Sequence, residues 1–67
     1  MSKHKVCHFT GLAAYISTVR QIALARPDVI SVERASPVEI NIVYDNPHLT
    51  PAEMFIQLGD AFMEAQR

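Results

Sequence analysis

Cys7 is the only cysteine in a chain of 67 residues, so no internal disulfide can staple the fold. A chain of this size buries only roughly 60% of the surface its unfolded form exposes. Without a covalent brace, stability must come from the apolar core, helped by a metal or a partner where the core falls short. Hydrophobic residues make up 49% of the sequence and charged residues 19%, which is the balance of a globular chain. Residues 1–67 are therefore read as a single domain.

The pattern along the chain separates five elements. Lys3 to Phe9 reads as a first strand with Val6-Cys7-His8-Phe9 at its heart. Thr10-Gly11 breaks the extended run, and Thr10 is a candidate cap for the helix that follows. From Leu12 to Arg26 the apolar residues Leu12, Tyr15, Ile16, Val19, Ile22 and Ala23 recur at helical spacing, one face of an amphipathic helix. Pro27 stops it. Val29 to Glu33 reads as a second strand, Ala35-Ser36-Pro37 as a turn, and Val38 to Tyr44 as a third strand. There Val38, Ile40, Ile42 and Tyr44 alternate with more polar neighbours, the period of a sheet buried on one face.

Asp45-Asn46-Pro47 closes that strand with turn formers. Thr50-Pro51-Ala52-Glu53 is a capping box with proline at the first helical position. Met54, Leu58, Ala61, Phe62 and Ala65 then form an inward stripe, with Phe55 at its edge and Met63 at core or margin. Gly59 costs a helix interior roughly 1 kcal/mol against alanine, and close packing on the sheet would explain it.

The order β-α-β-β-α, with a right-handed crossover, predicts an α+β ferredoxin-like domain. It has a three-stranded antiparallel sheet, two helices on one face, and the fourth strand of the complete fold missing. In the complete fold that strand lies beside the first. The first strand is thereby expected to keep an open edge over Lys5, Val6, Cys7, His8 and Phe9.

Several stretches together resemble the heavy-metal-associated domain of copper chaperones and metal-pumping ATPases. Arg26-Pro27-Asp28-Val29-Ile30-Ser31-Val32-Glu33 is similar to that family's helix end and following Pro-Gly-Val-x-x-Val strand. Ile42-Val43-Tyr44-Asp45 and Leu49-Thr50-Pro51-Ala52-Glu53 are similar to its third strand and second helix start. The resemblance covers about Lys5 to Ala65 and implies the fold. The family binds metal through Gly-Met-x-Cys-x-x-Cys, and here the matching positions are Gly11, Leu12, Ala14 and Ser17. Both thiolates are absent, and a soft ion such as Cu(I) gains little from a methyl or a hydroxyl.

A relocated copper or zinc site would have to use Cys7 with His8 and His4. Cys7 and His8 are neighbours and point to opposite faces of a strand. His4 and His8 share a face but stand about 13 Å apart, so such a site needs ligands from a second copy. Cys7 alternates with Phe9 and is expected to pack inward as a small hydrophobe. His48 precedes the second helix at an exposed turn. Carboxylates and histidines share no recognisable site, so no enzyme is expected.

The net charge of −1 does not favour nucleic acid. Its distribution is uneven, with Lys3, Lys5, His4 and His8 in the first ten residues and Asp45, Glu53, Asp60 and Glu64 against Arg67 in the last third. No apolar run approaches the roughly 20 residues of a membrane span. The opening Met-Ser-Lys-His-Lys lacks the apolar stretch of a signal peptide, and a free cysteine suits the cytoplasm. The expected function is a non-catalytic binding or adaptor domain, acting as a homodimer or by docking on a larger protein. The alternative is a metal carrier or sensor.

Overall fold

A computed structural model describes residues 4–67 and shows β1 (Lys5–Thr10), α1 (Ala13–Leu24), β2 (Val29–Ser36), β3 (Glu39–Tyr44) and α2 (Pro51–Ala65). The Lys3 end of the expected first strand lies outside the described residues. The strands form one antiparallel sheet in the order β1-β3-β2, the α+β arrangement expected from the sequence. Cys7 and Phe9 of β1 and Ile40, Ile42 and Tyr44 of β3 point to the same side. Ile16, Val19 and Ala23 of α1 and Met54 and Leu58 of α2 meet them in one core, so both helices cover one face.

The β2–β3 hairpin departs from the expected boundaries. β2 runs to Ser36, past the expected end at Glu33, and the turn is Pro37-Val38. Val38 is therefore not the first core residue of the third strand but 44% exposed at the tip. Proline fixes φ near −65° at the first turn position, and no non-glycine residue among the described ones has positive φ, which leaves a type I turn. That turn twists against its flanking strands, and a bulge between Arg34 and Ser36 takes up the mismatch. Ser36 Oγ accepts from Val38 N–H at 3.2 Å and secures the corner.

A second bulge sits at Ile30, between Val29 and Ser31. Val29 and Val32 are three apart, which on a regular strand would send them to opposite faces. The extra residue returns both to the core side, where they pack on the buried cluster.

The helix starts differ in quality. At α2 the Thr50 hydroxyl accepts from Glu53 N–H and the Glu53 carboxylate accepts from Thr50 N–H, the reciprocal pair the sequence promised. At α1 the cap position is Leu12 and no side chain caps it. Thr10 belongs to β1, and Leu12 is 81% exposed, not core. Leu49, missing from the expected core, is buried between Tyr44 and α2. Its carbonyl accepts from Tyr44 Oη at 2.7 Å and from Lys5 Nζ at 3.2 Å.

At the opposite corner, Arg26 grips Asp28 with two hydrogen bonds of 2.9 Å. Asn46 donates to the same carboxylate and Arg26 reaches Gln57 of α2. This clamp ties the end of α1 to the loop entering α2, and the Arg26 guanidinium holds the Asp28 carboxyl below the ordinary range. A carboxyl depressed in the folded state stabilises the fold above its unfolded pKa of about 3.9, and that contribution is lost as pH falls through the folded value. Asp28→Asn is therefore expected to cost about 1–2 kcal/mol at neutral pH and to flatten the loss of stability below about pH 4, as measured by urea unfolding from pH 7 downwards.

Candidate binding edge and slot

The backbone polarity of β1 follows from its register. Lys5 pairs with Tyr44, Cys7 with Ile42 and Phe9 with Ile40. One step further, Gly11 N–H donates to the Val38 carbonyl at 3.1 Å. In an antiparallel ladder, hydrogen-bonded pairs alternate with pairs that are not. Gly11, Phe9, Cys7 and Lys5 therefore turn their amides toward β3. Val6, His8 and Thr10 turn theirs outward, where no strand meets them among the described residues. The open edge is a row of three N–H and three C=O groups.

Side chains flank that row on two levels. On the outer sheet face stand Val6, His8 and Thr10, and His8 Nε2 lies 3.2 Å from a Glu39 carboxylate oxygen. On the helix side, α2 advances in the same direction as β1. Lys5 meets Leu49 and Cys7 meets Pro51 near the start, and Phe9 stacks on Phe55 at 4.5 Å further along. Between edge and helix lies a groove of about 470 Å³ lined by Cys7, His8, Pro51, Ala52, Phe55 and Ile56. Its lining is mostly apolar.

A second hollow of about 520 Å³ continues along α2, lined by Tyr15, Gly59, Phe62, Met63 and Gln66. Tyr15 and Phe62 meet edge to face at 4.6 Å. Tyr15 also closes over Gly11, where an added Cβ would come within 2.9 Å of its ring. Together the two hollows follow Ala52, Ile56, Gly59 and Met63, which recur at helical spacing on a face of α2 distinct from Met54 and Leu58. Ile56 is 59% and Met63 69% exposed. Met63 is thus not core. Gly59 does not serve close packing on the sheet either, since a Cβ there would meet nothing within 4 Å.

The candidate metal ligands do not converge. Cys7 faces the core and its thiol donates to the Pro51 carbonyl at 3.3 Å. Burial pushes its pKa above the ordinary thiol value, away from the thiolate that binds metal or attacks a substrate. His8 projects from the opposite face beside Glu39, and His4 is exposed before β1 begins. Among the described residues no three His, Cys, Asp or Glu side chains come together as a metal site. Ala14 and Ser17, at the positions of the family's thiols, are exposed on α1, and His48 is exposed in the loop before α2. No helix among the described residues is long and apolar enough to cross a membrane.

Comparison with known proteins returns no match: no family model fits the chain, and no curated protein or solved structure resembles it above chance.

The edge was legible as an edge, but the outer apolar face of α2 was not anticipated. Its signal is the same helical spacing that marks the core stripe, offset around the helix. Two consequences are measurable. His8→Pro removes an outward amide and spares the β1–β3 ladder, so it should keep a cooperative fold, whereas Phe9→Pro deletes a ladder bond beside the core and should unfold the chain; circular dichroism melts separate the two. Cys7 should react with iodoacetamide at neutral pH at least tenfold more slowly in the folded protein than after unfolding in urea, as followed by mass spectrometry.

Proposed function

We propose that this chain is a non-catalytic binding or adaptor domain that acts by accepting a β-strand along the free edge of β1. The single observation that carries the reading is the pairing of that edge with a groove. The outward amides and carbonyls of Val6, His8 and Thr10 run beside an apolar hollow under α2. Main-chain hydrogen bonds supply affinity in strand addition, and alternate side chains entering pockets supply specificity. Both devices lie side by side here.

The reading takes the scaffold to be of the heavy-metal-associated type, with Ala14 and Ser17 in place of the thiols. A buried thiol and scattered histidines then serve packing and surface. The partner strand comes from a second copy or from a larger protein, and the setting that suits the free Cys7 is the cytoplasm.

Amide spectra recorded with increasing protein concentration, and with extended peptides added, test the proposal. Binding should shift and protect the amides of Val6, His8 and Thr10, and His8→Pro should weaken it at least tenfold without unfolding the domain. A protein that stays monomeric by light scattering at millimolar concentration and leaves those amides untouched by every peptide would overturn it.

A further inference from the structure

We draw no further inference here: the strongest candidate, the apolar hollow of about 520 Å³ along α2 lined by Tyr15, Gly59, Phe62 and Met63, carries nothing, because no feature of the structure shows what covers it.

Discussion

Gly11 N–H reaching the Val38 carbonyl at 3.1 Å sets the parity of β1 against β3, and most of the molecule follows from that parity. With odd-numbered amides committed to β3, the even-numbered ones face outward, and side-chain alternation then sends Cys7 and Phe9 into the core. A shift of one residue would bury His8 and expose Phe9. Two contacts on the helix side hold the same register. Lys5 Nζ binds the Leu49 carbonyl, and Phe9 stacks on Phe55. Core, edge and groove are therefore set by one alignment, and the edge cannot be altered by sliding β1 without emptying the core.

Much of this was readable wherever local chemistry and burial agree. The alternation of Ile40, Ile42 and Tyr44 and the capping box at Thr50 and Glu53 both appear in the structure as the sequence implies. The boundaries that slipped are those where backbone geometry overrides pattern. Bulges at Ile30 and Ala35 shift the faces of β2, so no single period describes that strand, and Pro37-Val38 forms a turn that the continuing apolar alternation disguises. Thr10 looks like a helix cap, yet it is drawn into the β1 ladder opposite Glu39. Leu49 gives no periodic signal because it lies in a loop, and only tertiary contacts bury it.

The open edge could be inferred from topology, since a β-α-β-β-α order leaves β1 without a second neighbour. Which of its amides face out could not, because that depends on the register with β3. The outer face of α2 was hidden for another reason. Core and outer stripes together give α2 an apolar arc wider than one neighbour can cover. A helical wheel reports the arc but not which part of it the chain's own sheet conceals. The same ambiguity leaves Met63 at core or margin in the sequence, and its 69% exposure is decided by where α2 sits over β1.

A helix centred over the sheet would cover its own stripe and leave a plain edge without a groove beside it. Placed over the edge strand, α2 shields the helix-side flank of the free amides and presents Phe55 and Ile56 to whatever lies beneath. Exposed edge strands invite uncontrolled association, which proteins commonly limit by covering or obstructing the edge. Here α2 leaves an apolar groove beside the free edge and does not close over it. On the proposed strand-accepting reading, the exposed Phe55 and Ile56 of α2 are the apolar wall of the approach to that edge.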